Sequence, residues 1–492
     1  MMEHRVETDE EMRRAPQPVD WENVRKVHIM GVCGSAMGAM AVMLRKRGYD
    51  VRGSDKGAYP PMSTTLAAEG IHIYEGYKAS NLDWAPDVVV VGNVIRPTYD
   101  EAIALRQRNI PHCSLPQVLA AEFIGNRRSV VITGTHGKTT TSSMTAWILH
   151  EADLDPGFMI GGVTGNFGSN HRLGGSDVFV SEGDEYDTAY FDKGPKFLHY
   201  RAQVASINNI EFDHADIYED VDDVERAFER FARTLPSTGR LLVPAHDERA
   251  RRVAELGKAP VWLTGFTEDA DVRATNVKST EDGTTFDLSL PGDETVTVCL
   301  PLWGDHNIFN ALVAAGMAYA LDVGAETIAS ALGSIKLPAK RQQLRGVVRG
   351  VPVIDDFAHH PTAIRETLRS VRMRYPSRRI LALFEVESNT SRRRIFQGGF
   401  KRALGAADHV YFCQPLEKSD NLPPEERLDI HELVDGLLEE GTPTQLIAEI
   451  DELTRVVVAE ARSNEDVIVA MSGRDFHGIH QRILDALQTP DK

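Results

Sequence analysis

The sequence predicts an α/β chain in three domains: a Rossmann-like unit, a central phosphate-loop domain with a parallel sheet plus a small β-sheet, and a second Rossmann-like unit. Three observations carry this. Lys26, Val27, His28, Ile29 and Met30 read as a strand that runs into Gly31 and Gly34 and then a helix. Val130, Val131 and Ile132 repeat the pattern, with a glycine turn at Gly134 and Gly137 and a helix after Lys138. Beyond residue 337, apolar runs at 351–354, 378–384, 410–413 and 466–471 alternate with helical stretches, the sign of a parallel sheet.

A chain of 492 residues has room for about three domains of ordinary size. The formal net charge of −18 excludes the basic surface of a nucleic-acid binder. It leaves a nucleotide ligand open, because a local cluster of cations can hold phosphate inside an acidic protein. Cys33, Cys113, Cys299 and Cys413 have no metal-ligand spacing, so a reducing compartment and no disulfide framework are expected. No apolar run reaches membrane-spanning length. Residues 1–20 are charged and polar, which fits a frayed leader rather than a secretory signal, and the expected location is the cytoplasm.

The first domain is expected over 21–126. Its helix after Gly34 stops at Gly48, and a second strand ends at Gly53, Ser54 and Asp55. An acid there is placed to read a ribose or a base. The glycine spacing Gly31-x-x-Gly34 differs from the dinucleotide pattern, which argues against NAD. A third strand, 88–91, ends at Gly92, and Gly125 to Arg128 reads as a linker.

The central domain is expected over 127–336. Gly134, Thr135, His136, Gly137, Lys138, Thr139 and Thr140 form a phosphate cradle. Glycines turn backbone N–H groups inward, and the helix start adds partial positive charge. Lys138 is placed for the β- and γ-phosphates of a nucleotide such as ATP, and the Thr139 hydroxyl for Mg²⁺. The loop is shorter than the standard pattern. Residues 161–168, Asn166 among them, are too glycine-rich for a regular element and read as a binding loop. The strand 178–182 runs into acids; Glu182 is the chosen Mg²⁺ ligand, with Asp184, Glu185 and Asp187 as competitors. A strand at 204–209 leads to Asp213 and His214 on the same sheet edge, and His214 reads equally as a ligand or as a structural histidine. Residues 261–300 suit β-hairpins. His306, Asn307 and Asn310 fall within about one turn of the next helix, where Asn307 either reads a base edge or caps the helix.

The third domain, 337–492, opens on Arg341. It places Asp356, His359 and His360 at one strand end, Ser388 to Arg394 at the next and Gly473 to Asp475 at the last.

These pieces, in this order, resemble the Mur ligase family, the ATP-dependent amide-forming enzymes of peptidoglycan synthesis. The resemblance covers nearly all of the chain after the leader. It rests on Gly31 and Gly34, the loop Gly134 to Thr140, Glu182, Asn209 to His214, Gly304 to Asn307, Arg341, and Asp356 to Pro361. It implies a lactyl carboxylate that attacks the γ-phosphate of ATP, and an acyl phosphate that an amine then opens. It implies Lys138, Glu182, His214, Arg341, Asp356 and His359 in catalysis. ATP would contact Gly134 to Thr140, Asn307 and Arg341, with Mg²⁺ on Thr139, Glu182 and His214. UDP-N-acetylmuramate would lie on Gly31, Gly34, Asp55, Asn166 and Arg172. A hinge near residue 337 would close the site. Within the family the chain is most similar to members that recycle the tripeptide L-Ala-γ-D-Glu-meso-diaminopimelate, through residues 182–193, 196–201 and 388–393, where Ser388, Asn389, Thr390 and Arg392 would meet the peptide. The alternative is the paralogue that adds free L-alanine. The chain departs from the recycling pattern at Val386-Glu387, usually Pro-Arg, at Gly473-Arg474-Asp475, usually an Asn-Gly-Gly-like turn, and at His477, usually Gly.

Overall fold

The structure, a computed structural model, describes residues 12–415 and 422–488. Of the expected leader, residues 1–11 lie outside the described residues. The chain divides into two compact units. One holds the residues up to Ile210, Asp222–Leu263 and Val313–Val323. The other holds Glu211–Val221, Thr264–Leu312 and the chain from Gly324 onward.

The first unit carries two parallel sheets. In one, the strands run in the order His72–Glu75, Asp50–Asp55, Lys26–Met30, Val88–Val91, His112–Ser114. Every pairing is parallel. Val88–Val91 is buried throughout, which explains its unbroken valine run. Chain order reverses between Lys26–Met30 and Val88–Val91, so a crevice opens at their C-terminal ends, where Gly31 to Gly34 lie. The outer strands His72–Glu75 and His112–Ser114 are short and polar, and nothing in their sequence marks them.

The second sheet of this unit runs Arg240–Pro244, Val204–Ile207, Arg128–Thr133, Val178–Glu182, Gly157–Met159, with His171–Arg172 antiparallel at its edge. Helix Val221–Ala232 buries Val224, Phe228 and Phe231, and Phe197 packs on the two phenylalanines at 5.4 and 4.8 Å. A short antiparallel ribbon, Asp187–Ala189 with Asp192–Pro195, carries Tyr190 and Phe191 at its tip. Both rings are buried in one core cluster with Met30, Val91, Ile95 and Ala102 of the first sheet. Each buried ring is worth about 1.5–3 kcal/mol, so the ribbon ties the two sheets together.

The second unit holds an antiparallel run, Val272–Thr280, Gly283–Leu290 and Glu294–Leu300, with turns at residues 281–282 and 291–293, in line with the hairpins expected over 261–300. It also holds a six-stranded sheet in the order Gln343–Val348, Val351–Asp356, Asp466–Met471, Arg379–Phe384, His409–Cys413, Thr444–Ile447. The first pair is antiparallel and the rest parallel. Ile380, Ala382 and Phe384 face one core cluster, Leu381 and Leu383 the other, so this strand is apolar throughout after Arg379, which pairs with Asp466. Thr444–Ile447 has no such signal and was not expected as a strand. No helix among the described residues is long and apolar enough to cross a membrane.

Candidate active site

The phosphate loop follows Arg128–Thr133, a strand flanked on both sides by parallel neighbours and therefore rigid. Gly134 has φ +122°, and a Cβ there would meet the Asn208 backbone nitrogen at 2.8 Å. Gly137 sits at φ +80° as the residue before helix Lys138–Glu151, whose first turn has no side-chain cap. Helix N–H groups of this kind can hold an anion. The loop is clamped by residues that the sequence reading placed at a strand end but gave no role as a clamp. Asn209 accepts from the His136 N–H through Oδ1 at 2.8 Å, and its carbonyl accepts from the Thr135 N–H at 3.2 Å. Asn208 donates to Thr141 Oγ1 at 3.2 Å and accepts from Ser206 Oγ at 2.8 Å. Paired asparagines directly after an apolar strand were the available signal.

Lys138 and Thr139 each meet a carboxylate. Lys138 Nζ donates to Gly134 O at 2.6 Å and to Glu185 Oε2 at 2.7 Å. Burial works against the ammonium charge, but Glu185, Asp184 and Glu182 outweigh it, and the lysine pKa rises. Thr139 Oγ1 lies 3.1 Å from both oxygens of Glu182, and the Gly161 N–H donates to Glu182 Oε2 at 2.7 Å. A Cβ on Gly161 would sit 2.9 Å from that oxygen and displace the Glu182 carboxylate. A hydroxyl and a carboxylate side by side are hard oxygen donors, the chemistry Mg²⁺ accepts. Glu182 thus stands beside Thr139, as expected, while its competitor Glu185 holds the lysine.

The expected nucleotide-sugar residues lie elsewhere in the same unit. Asp55 accepts from the Cys33 N–H at 2.8 Å and so braces the Gly31–Gly34 turn. Asn166 and Arg172 line one cleft of about 410 Å³ with His150, Phe158 and His171. Arg172 pairs with Asp155 and lies 5.4 Å over the Phe167 ring. His150 is near the far end of the loop helix, a rise of about 18 Å from Lys138. Asn170, in the same segment, donates to Ser35 at 3.4 Å, next to Gly34.

In the second unit several expected residues hold each other. Asp356 is buried; its oxygens accept from Gln342 N at 2.7 Å, Ala358 N at 2.8 Å and Thr367 Oγ1 at 3.1 Å. Burial raises its pKa against the pull of Arg341 and these bonds. Arg341 lies 4.9 Å over the Phe357 ring, and His359 Nδ1 donates to Phe357 O at 2.9 Å. Thr390 is buried and donates to Asp213 Oδ1 at 2.6 Å, while Asn389 donates to Asp216 at 3.3 Å. His214 has φ +53°, with its N–H on Asp213 Oδ1 at 2.7 Å. Ser388 pairs with Ser391 Oγ at 2.9 Å, and the Arg392 N–H closes the turn on Ser388 O at 3.2 Å. Asn307 lies within the helix Asp305–Tyr319, buried, and donates to Trp303 O at 2.8 Å. His306 meets Gln342 Nε2 at 3.1 Å; burial pushes its pKa down to about 4, although Glu366 and Asp305 oppose this.

Three family models match in chain order: the Mur ligase family, catalytic domain, over residues 26–125; the Mur ligase middle domain over 132–318; and the Mur ligase, glutamate ligase domain over 340–474. The chain is similar to the UDP-N-acetylmuramate--L-alanyl-gamma-D-glutamyl-meso-2,6-diaminoheptandioate ligase of Escherichia coli (strain K12). Identity is 38% over 463 residues, 94% of this chain and 98% of that protein. The chain belongs to the Mur ligase family. The crystal structure of a murein peptide ligase from Psychrobacter arcticus is 35% identical, with a TM-score of 0.71, and covers 95% of this chain and 100% of that one. The UDP-N-acetylmuramate--L-alanine ligase of Paenarthrobacter aurescens is 35% identical over 95% of this chain and 98% of its own length.

The departures of this Mur ligase from the recycling pattern are spatial neighbours. Glu387 Oε1 lies 3.2 Å from the Arg474 guanidinium, and His477 Nε2 lies 3.6 Å from Glu385. Ser472 Oγ joins Glu385 and receives the Arg474 N–H at 2.8 Å, and Lys340 Nζ donates to Arg474 O at 2.9 Å. Burial raises the Glu385 pKa, which Ser472 and His477 partly offset. Glu387 with Arg474 and Glu385 with His477 are thus two ion pairs joined through Ser472 at the ends of strands Arg379–Phe384 and Asp466–Met471, while Val386 is buried in the core.

Proposed function

We propose that this Mur ligase joins the lactyl carboxylate of UDP-N-acetylmuramate to the free amine of L-alanyl-γ-D-glutamyl-meso-diaminopimelate. ATP is consumed and ADP and phosphate are released. The carboxylate takes the γ-phosphoryl group to give an acyl phosphate; the amine then attacks the acyl carbon, phosphate leaves and the amine proton passes to solvent. Every reacting species before the amine is anionic, so positioning and charge neutralisation carry the catalysis. Lys138 would leave the loop carbonyl for the β- and γ-phosphates while Glu185 keeps its charge and aim. The helix N-terminus after Gly137 would hold phosphate oxygens. Thr139 and Glu182, with His214 for a second ion, would hold Mg²⁺, which supplies charge neutralisation at the phosphates.

In this reading Gly31, Gly34 and Asp55 take the UDP end and Asn166 with Arg172 the sugar side. Asn307 and Arg341 act on ATP. Asp356 and His359 support that end, and Ser388, Asn389, Thr390 and Arg392 meet the peptide. The domains are 21–126, 127–336 and 337–492, and the setting is the cytoplasm, where ATP and the nucleotide sugar are available. The observation that carries the reading is the convergence of Lys138, Thr139 and Glu182 on the glycine turn. Relatives of both substrate types are similar to the chain, and the 38% identity to the tripeptide enzyme favours that amine over free L-alanine.

The test is phosphate release with ATP, Mg²⁺, UDP-N-acetylmuramate and a panel of amines. The tripeptide should support turnover and L-alanine should not. Turnover with L-alanine alone moves the function to the paralogue, and no amine-dependent release with any member overturns the ligase reading.

A further inference from the structure

Beneath the crevice of the first sheet lies a wholly buried carboxylate that none of the assigned roles uses. Glu101, in the first turn of helix Asp100–Gln107, has no exposed surface, and neither do His28 and Ser54. Its Oε1 accepts from His28 Nε2 at 2.6 Å and from Ser54 Oγ at 3.0 Å, and its Oε2 from Asn81 Nδ2 at 3.2 Å. Trp84 Nε1 donates to His28 Nδ1 at 3.4 Å. That nitrogen acts as an acceptor, and Nε2 as the donor to Glu101. The carboxylate is held by three donors and the N-terminal dipole of its helix, so each donor is fixed in aim.

Two of these contacts, through Ser54 and Asn81, lead to the Gly31–Gly34 edge of the sheet. The Ser54 carbonyl accepts from both Gly31 N at 2.8 Å and Val32 N at 3.1 Å, and the next residue, Asp55, takes Cys33 N. Asn81 uses the same amide to donate to Gly76 O at 2.8 Å, and the Gly76 N–H returns to Asp55 O at 2.7 Å. The Glu101 N–H itself reaches Tyr77 O at 3.3 Å. One buried group thus ties the glycine turn, the end of the second strand and the 76–77 turn.

We infer that Glu101 is a positioning residue for the UDP-sugar loop. Through Ser54 and Asn81 it sets the aim of the Gly31–Gly34 amides and of Asp55 without touching the ligand. The inference rests on the proposed function for the identity of that ligand. In Glu101→Gln the shape is kept, but one acceptor becomes a donor facing a donor. UDP-N-acetylmuramate titrated calorimetrically into the full-length variant should bind about tenfold more weakly, the scale of lost outer-shell partners, with ATP binding unchanged. Ser54→Ala, which removes one hydroxyl, should weaken it less and covers the case in which Glu101→Gln fails to fold. Leu105→Ala, a cavity in the same helix, should lower the Tm but leave the affinity alone. Unchanged affinity in the folded Glu101 and Ser54 variants, or equal weakening by Leu105→Ala, overturns the inference. A wild-type chain that binds no UDP-N-acetylmuramate overturns the functional reading instead, and the wild-type titration alone separates the two.

Discussion

Glu182 and Asp356 are both strand-end acids assigned to the same chemistry, and they live in opposite surroundings. Glu182 shares its two oxygens with one threonine hydroxyl and one glycine N–H, beside a glycine turn. Asp356 is buried and spends its oxygens on Gln342, Ala358 and Thr367 of its own unit. In the proposed reading the first exchanges its threonine neighbour for a cation. The second is arranged as a pin that holds the Arg341–Gln342 turn. Both are carboxylates at strand ends; what separates the two is burial and the count of donors already satisfied.

Lys138→Ala should sharpen this contrast most. It should cut phosphate release about 10³-fold or more, the scale of lost electrostatic stabilisation at a phosphoryl site, and leave UDP-N-acetylmuramate affinity unchanged by titration. Because Glu185 then stays buried without its cation, the Tm should fall too, by the equivalent of about 3–5 kcal/mol.

Glu182→Gln comes next. Turnover should drop about 10²-fold, and added Mg²⁺ should recover part of it, since one oxygen donor remains. Chelation of divalent ions should abolish wild-type turnover. Asp356→Asn should behave otherwise: a stability loss of about 1–3 kcal/mol by denaturant titration, with the Mg²⁺ dependence of turnover unmoved. An altered Mg²⁺ dependence in that variant would break the comparison.

Thr390→Val should cost about 1 kcal/mol or somewhat more, because Asp213 loses its hydroxyl donor, and the melting curve reads it. The smallest effect concerns pH. The buried His306 stays neutral when folded, down to about 4, whereas its unfolded form protonates near 6.5. The unfolded state therefore binds more protons in that window, and stability falls as pH drops from about 6.5 toward 4. His306→Gln should flatten that part of the Tm–pH curve.

Much of the fold could be read from residues because its signals are local. Val88–Val91 is apolar at every position because both faces are covered, and 380–384 for the same reason. His72–Glu75, His112–Ser114 and Thr444–Ile447 escaped notice because short strands at or near a sheet edge need no apolar pattern. At the candidate site, where the structure sets Glu182 beside Thr139, the glycine turn and the Glu182 strand end were legible from type and spacing. Asn208 and Asn209 were not, since a loop clamp is a long-range hydrogen bond with no sequence period. The tip of the 187–195 ribbon was equally hidden: Tyr190 and Phe191 find their core in a sheet whose strands lie far away in the chain.

By itself the sequence determined where strands, turns and helices alternate, that a phosphate loop stands in the middle, and which acids end which strands. Those follow from backbone sterics, burial period and glycine freedom, all local in the chain. Tertiary structure alone decided which acid meets a hydroxyl, which meets a lysine and which is consumed by backbone amides. It also decided that Glu387 and Arg474, 87 residues apart, neutralise one another. Hydrogen bonds and ion pairs act over a few ångströms of space, and only the folded chain sets those distances.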